Sequence, residues 1–223
     1  SWSGERVLDG KPVEYISTYF DDQKSEGAPY RLEANAEKSF QGSIVLGKGF
    51  VLEPEEAAGL IGRNPKNRDV LFPYLNGDDL NSRSDQSPSR RVINFKDWPL
   101  DRVSAPDGYR GPVAADYPDC LEIVERLVKP ERDKLWKGDA TARDRARRWW
   151  QFARQTMSLY RTIAPLKRVM VIAIGATKYP YFSLSKEKIV FSHALGVIAL
   201  DAKACHALLN SDFHVMWAWK NAS

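Results

Sequence analysis

Apolar residues fall into short runs whose spacing switches between strand and helix periods along the chain. Ile44-Val45-Leu46 and Phe50-Val51-Leu52 flank Gly47-Lys48-Gly49, a pattern that predicts a tight hairpin whose glycines tolerate positive φ. Glu53-Pro54-Glu55-Glu56 predicts the start of a short helix, with Pro54 in the first turn and acids at its positive end, stopped by Gly62 and Asn64-Pro65. Val70-Leu71-Phe72 predicts a strand running into a turn at Asn76-Gly77, and Arg90 to Phe95 resumes an extended pattern. A helix from about Tyr117 carries Leu121, Ile123, Val124, Leu127 and Val128 on one side until Pro130 kinks or ends it. A second helix is expected from Asp144 to Arg161, its aromatics entering the core and its arginines lining the rim.

In the last third, Arg168 to Ile174, Tyr181 to Leu184 and Ile189 to Leu200 predict three strands in meander order. Asp201 is expected to cap a final helix with Leu208, Leu209, Phe213, Met216 and Trp217 on one side. The polar residues before about 35, broken by Asp21-Asp22 and Glu26-Gly27-Ala28-Pro29, read as a connector. The expected class is α+β (mixed α/β), a twisted, largely antiparallel β-sheet core with flanking helices. With 43% hydrophobic and 11% aromatic residues among 223, the chain can bury one sizeable core. Its apolar runs are too short or too interrupted to span a bilayer, and its first residues do not follow a secretory-signal pattern, so a cytoplasmic address is expected. Cys120 and Cys205 lack metal-ligand spacing and read as buried structural thiols, while His193, His206 and His214 form no zinc motif.

Charge sharpens the picture through its position. From Arg126 to Arg168 there are thirteen Lys or Arg against Glu131, Asp133, Asp139 and Asp144, a net +9 that leaves −5 for the rest of a chain totalling +4. That asymmetry is expected of a surface facing a polyanion, or of a solvated helix face. Arg145, Arg147, Arg148 and Arg154 belong to the basic stretch, and Arg83, Arg90 and Arg91 flank the polar loop Ser84 to Ser89, suited to phosphate contact. Trp149 and Trp150 suit core packing better than base stacking, because adjacent side chains point in different directions. Asp78 and Asp79 fit a turn after Asn76-Gly77 better than a metal-dependent nuclease site.

Ser39-Phe40-Gln41-Gly42-Ser43, Phe72-Pro73-Tyr74-Leu75-Asn76-Gly77-Asp78-Asp79-Leu80-Asn81-Ser82-Arg83, Tyr117-Pro118-Asp119, Trp149-Trp150-Gln151-Phe152 and Ile189-Val190-Phe191-Ser192 stand in an order that carries a resemblance. The chain resembles the region C-terminal to the catalytic domain in MmeI-like type IIL restriction-modification enzymes and related class I adenine-specific DNA methyltransferases of bacteria. The resemblance implies a target-recognition-domain-like fold that holds double-stranded DNA while an upstream domain, using S-adenosylmethionine, methylates an adenine flipped from the duplex. It implies residues 1–38 as a connector from that absent domain, 39–202 as the recognition domain, and 203–223 as a C-terminal helix cut short. Asn-Pro-Pro-aromatic, the catalytic signature of that class, is missing: Asn64-Pro65-Lys66-Asn67 has neither the second proline nor the aromatic. Gly47-Lys48-Gly49 sits between strands and does not open a helix as a cofactor loop would. No catalytic, cofactor-binding or metal residue is therefore expected in this chain, and no methyl transfer from it alone.

Ile172, Ala173 and Ile174 are apolar where relatives are expected to carry polar base readers, so the reading role falls to Thr177, Lys178, Tyr179 and Tyr181 at the following hairpin tip. The alternative is a protein-interaction or scaffolding segment of the same enzyme, whose cationic helices meet an acidic partner without base readout. A stand-alone nuclease is a third class, and it would require metal-dependent cleavage.

Overall fold

The computed structural model describes residues 5–16, Asp22, 32–175, 180–186 and 188–221. Strands β1 (Val7–Leu8) and β2 (Lys11–Pro12) form a small antiparallel hairpin, and β3 (Ser39–Gln41) follows. A 3-10 turn at Lys48–Phe50 leads into β4 (Val51–Leu52), α1 (Pro54–Arg63), β5 (Leu71–Leu75), α2 (Gly77–Ser82) and β6 (Arg90–Ile93). Four helices come next: α3 (Pro118–Leu127), α4 (Lys129–Asp133), α5 (Ala140–Arg147) and α6 (Met157–Ile163). The chain then forms β7 (Val169–Ala173), β8 (Ser183–Ser185), β9 (Val190–Phe191), β10 (Leu195–Ile198), α7 (Lys203–Leu209) and α8 (Asp212–Asn221).

Two four-stranded sheets organise these elements, in the orders β3-β10-β7-β8 and β4-β6-β5-β9. All their pairings are antiparallel except β5 with β9, where Tyr74 and Leu75 lie beside Val190 and Phe191. The expected largely antiparallel α+β class is therefore what the chain adopts. Each sheet has its own core. Leu52, Val92, Ile93, Phe95 and Val70 pack with Phe50, Val124, Val128, Trp149 and Phe152 against the second sheet, while Val169, Val171, Leu195 and Val197 pack with Leu75, Leu80, Leu159, Ile163 and Phe191 on the first.

Local chemistry explains several boundaries. In α1, Pro54 occupies the first turn, and the Glu53 N–H donates to the Glu56 carboxylate at 3.0 Å, satisfying one of the free donors at the helix start. Its end at Asn64 follows from Pro65, whose ring disfavours the helical region for the residue before it. α3 stops at Leu127 just before Pro130, which lacks the N–H a continuing helix would need and sits instead in the first turn of α4, where that loss costs no bond. Trp149 is buried, and Trp150 donates its indole N–H to the Trp98 carbonyl at 2.9 Å, so both belong to the core as expected.

Several expectations are corrected. Residues 44–52 form no hairpin: Ile44 pairs with Arg154, and Val51 and Leu52 pair with Val92 and Arg91. The helix expected from Asp144 to Arg161 breaks after Arg147, and Thr156 takes a left-handed φ of 50° before α6 begins. The break is tertiary in origin, because Gln151 and Trp150 both reach back to the Trp98 carbonyl at 2.9 Å. The last third is no simple meander, since β9 joins the other sheet and β10 lies between β3 and β7. Finally, Ala202 rather than Asp201 precedes α7, which is followed by a separate α8, and Cys205 is half-buried where a buried thiol is expected.

Candidate nucleic-acid interface

The two sheets meet along one edge, where Gly42 and Ser43 run beside Ser192. Gly42 donates to the Leu195 carbonyl at 3.0 Å, Ser43 to the Phe191 carbonyl at 2.8 Å, and His193 returns a bond to the Ser43 carbonyl at 2.9 Å. Glycine is required at position 42, for a side-chain carbon there would stand 2.2 Å from the Ser192 carbonyl oxygen. Beneath the seam, the Ser43 hydroxyl donates to the Gln155 carbonyl at 2.8 Å and lies 3.1 Å from the Tyr160 hydroxyl, which accepts the Phe191 N–H at 3.2 Å. Burial raises the Tyr160 pKa above the ordinary phenol value, so this group stays neutral and its polar atoms are matched.

Other elements reach the same edge. Gln41 donates its amide to the His193 carbonyl at 2.8 Å, and Ile174 donates to the Ala194 carbonyl at 2.8 Å, which anchors the base of the connection leaving β7. Ala194 also lies against Gly77, the first residue of α2. Asn76 caps that helix by accepting the Asp79 N–H at 2.9 Å, while the buried Asp79 carboxylate receives the Asn76 and Ser89 N–H groups at 3.4 and 3.3 Å. Asp78 and Asp79 thus serve the start of a helix, and among the described residues no group of three or more His, Cys, Asp or Glu could hold a metal ion.

Cations from distant parts of the sequence gather around residues 41–48. Arg154 exchanges backbone bonds with Ile44 at 3.0 and 3.1 Å and donates from its guanidinium to the Gln41 side-chain Oε1 at 2.6 Å. Lys48 and Arg90 line a groove of about 450 Å³ with Leu46, Tyr74 and Glu53. Arg132 reaches the same segment from inside, donating to the Leu46 carbonyl at 2.9 Å while only 2% exposed. Its pKa is pushed down to about 10, first by burial and then by repulsion from Arg145 and Arg148, so it keeps its charge at neutral pH.

The predicted arginines are not equivalent. Arg148 chelates Asp144 with Nε and Nη2, Arg90 lies 3.5 Å from Glu53, and Arg83 lies 3.4 Å from Asp85. Both partners of each pair are well exposed, so these contacts hold little free energy and yield readily to a phosphate. Arg145 is half-buried, and its Nε has no partner among the described residues, whereas Arg147 on the same helix is exposed. Arg90 and Arg91 are consecutive strand residues and point to opposite faces of the sheet, so the two cannot serve one phosphate. Tyr181 is 55% exposed, with its ring edge-on to His206 of α7. Thr177, Lys178 and Tyr179 lie outside the described residues.

Lys48, Leu46 and Arg132 were not legible as site residues. Lys48 sits in what reads as a turn, Leu46 in what reads as a strand, and Arg132 is one cation among thirteen; only the long-range contacts to residues 41–48 single them out. A second groove of about 550 Å³ between α1 and α3 carries Glu55, Glu56, Asp119 and Glu122 against Arg63 and Arg126, a charge unsuited to a polyanion. The Gly47-Lys48-Gly49 segment packs against α3, so that a side-chain carbon at Gly49 would stand 2.6 Å from Leu127. No described helix is long and apolar enough to cross a membrane.

No protein-family model matches the chain, and no curated protein does. Among solved structures, a Type IIL restriction-modification enzyme, MmeI, determined in complex with DNA, is similar to 94% of this chain with a TM-score of 0.65 and 16% sequence identity. The match spans 25% of the MmeI chain, so what is shared is the fold of one region of that enzyme.

Proposed function

We propose that this chain is the DNA-recognition region of a restriction-modification enzyme, with residues 39–202 gripping duplex DNA for an adenine methyltransferase domain outside the chain. The carrying observation is the convergence of Lys48, Arg90, Arg132 and Arg154 on the single segment 41–48, at the seam between two sheets, with Arg145 and Arg148 close enough to Arg132 to repel it. The similarity to a region of an enzyme solved with DNA supports the same reading. Arg83, Arg90, Arg145, Arg147, Arg148 and Arg154 take the phosphates, and Arg91 does so from the opposite face of its strand. Thr177, Lys178, Tyr179 and Tyr181 read bases. Residues 1–38 lead from the methyltransferase domain, which binds S-adenosylmethionine; this chain contributes recognition and no methyl transfer.

The test is selection of bound duplexes from a randomised library by the purified chain, followed by measured affinities. A common sequence is expected to emerge, Arg90→Ala with Arg154→Ala to weaken all duplexes alike, and Lys178→Ala to change preference at one position. Binding with no enriched sequence would leave only a charge-driven contact and overturn base readout. Protein–protein contact by residues 203–223 is the second reading, favoured by Leu208, Phe213, Met216, Trp217 and Trp219, which are all exposed on α7 and α8. It concerns the exposed side chains of α7 and α8 alone, and Phe213→Ser with Met216→Ser would leave the selected DNA sequence unchanged.

A further inference from the structure

Six non-glycine residues among those described have positive φ: Asp9, Glu37, Leu46, Gln86, Lys96 and Thr156. Five are polar. Leu46 is the apolar exception, with φ of 45° and half of its surface in water. A branched side chain gains nothing from the left-handed region, and an exposed leucine forgoes the burial that its neighbours Val45 and Phe50 achieve. Folding alone would not select this arrangement at this position.

The surrounding structure nonetheless holds it. Gly47 follows with φ of 146° and lies so close to Val128 and Phe50 that a side-chain carbon would stand 3.1–3.2 Å from theirs. Arg132, almost wholly buried, fixes the Leu46 carbonyl at 2.9 Å and leaves its Nη1 without a partner among the described residues. A buried guanidinium therefore ties the backbone of an exposed leucine to the Gln151 carbonyl, which the same Nη2 reaches at 3.4 Å. Lys48 and Arg90 line the same groove as that leucine, and two residues earlier Ile44 pairs with Arg154. An exposed apolar side chain among cations is the composition of groups that enter a base step while their neighbours hold the flanking phosphates.

We infer that Leu46 is a wedge that unstacks one base step of duplex DNA, with Arg132 as the strut that keeps it erect. This rests on the DNA-binding reading above and adds a deformation step to it. The energetic logic is that unstacking is offset by the closer fit of the opened duplex to the seam, so the side chain acts through the shape of the DNA and not through its charge.

The experiment uses the duplex that the wild-type chain selects, with 2-aminopurine placed in turn at each position. Wild type is expected to raise fluorescence several-fold at one step. Leu46→Ala should abolish that rise and weaken binding about tenfold, with the salt dependence unchanged, and an abasic site at that step should restore its affinity to within about twofold of wild type. Leu46→Gly, which relieves the backbone but has no side chain, should melt at least as high as wild type and still lack the fluorescence rise. A rise retained by Leu46→Ala, or affinity loss accompanied by a shallower salt dependence, would overturn the wedge while leaving DNA binding intact. Failure of the wild-type chain to select any duplex would sink both readings together.

Discussion

Gly42→Ala tests whether the seam between the sheets is as tight as its geometry says. The new carbon would stand 2.2 Å from the Ser192 carbonyl oxygen and 2.5 Å from that of Phe191, roughly 1 Å short of ordinary contact with rigid backbone on both sides. Overpacking of this kind costs about 1–3 kcal/mol. Relief by separation would strain three bonds, Gly42 to Leu195, Ser43 to Phe191 and His193 to Ser43, each worth about 0.5–1.5 kcal/mol. The sum is about 2.5–7.5 kcal/mol, and at about 2–4 °C per kcal/mol for a chain of this size the melting temperature should fall by about 5–30 °C. Gly59→Ala is the control: in the exposed middle of α1 nothing lies within 4 Å, so the same chemical change should stabilise by about 0.5–1 kcal/mol. Calorimetry of the three proteins decides the matter. If Gly42→Ala melted within about 2 °C of wild type, the close approach described here would be wrong, and with it the account of how the seam is held.

Two further perturbations probe the groups around the seam. Asn76→Ala removes the acceptor for the Asp79 N–H and should cost about 1–2 kcal/mol, read as a lower urea midpoint with unchanged slope; Asn76→Asp should recover most of it. Burial pushes the Cys120 thiol up to about 12, so above pH 9 the unfolded chain loses a proton that the folded chain keeps. Stability from this group is full below pH 9 and declines by up to about 1.4 kcal/mol per pH unit toward pH 12. Urea midpoints measured from pH 8 to 10.5 should therefore fall less steeply for Cys120→Ala than for wild type, and identical slopes would refute the assignment.

What the sequence made legible was local. The start of α1 at Pro54 and its stop at Asn64-Pro65, the strand entering Asn76, and the burial of the Trp149-Trp150 pair all follow from neighbours in the chain. The errors share a different cause. Ile44 to Leu46 and Phe50 to Leu52 have the pattern of two hairpin arms, yet Ile44 pairs with Arg154 and Val51 with Val92, so the partner of each run lies far along the chain. Likewise, Arg148 to Thr156 reads as helix by composition, and only the bonds from Trp150 and Gln151 to Trp98 show why it cannot continue as one. The candidate site belongs to this second class. Its cations lie at 48, 90, 132, 145, 148 and 154, and no period or motif in the sequence joins them.

The same contacts change what the basic stretch from Arg126 to Arg168 means for binding. Of its thirteen cations, Arg132 is buried, Lys129 is tied to Glu125 at 2.6 Å and Lys134 to Glu131 at 2.7 Å, so the raw count overstates what a phosphate would meet. The cations around residues 41–48 are Lys48, Arg90 and Arg154, joined by Arg145 and Arg148 beside Arg132, and two of these five come with exposed acids that a phosphate can displace. At about −0.9 per phosphate neutralised, those five predict a log-log salt slope of about −4 to −5, Arg83, Arg91 and Arg147 would take it to about −7, and all thirteen of the basic stretch would give about −12. Fluorescence anisotropy between 50 and 300 mM salt, roughly the range over which such affinities change most, measures the slope directly. A value steeper than about −8 would show that cations far from the seam also bind DNA. A slope near zero would remove the polyanion from the account, because no arrangement of charges around residues 41–48 can hold a phosphate backbone without releasing its counterions.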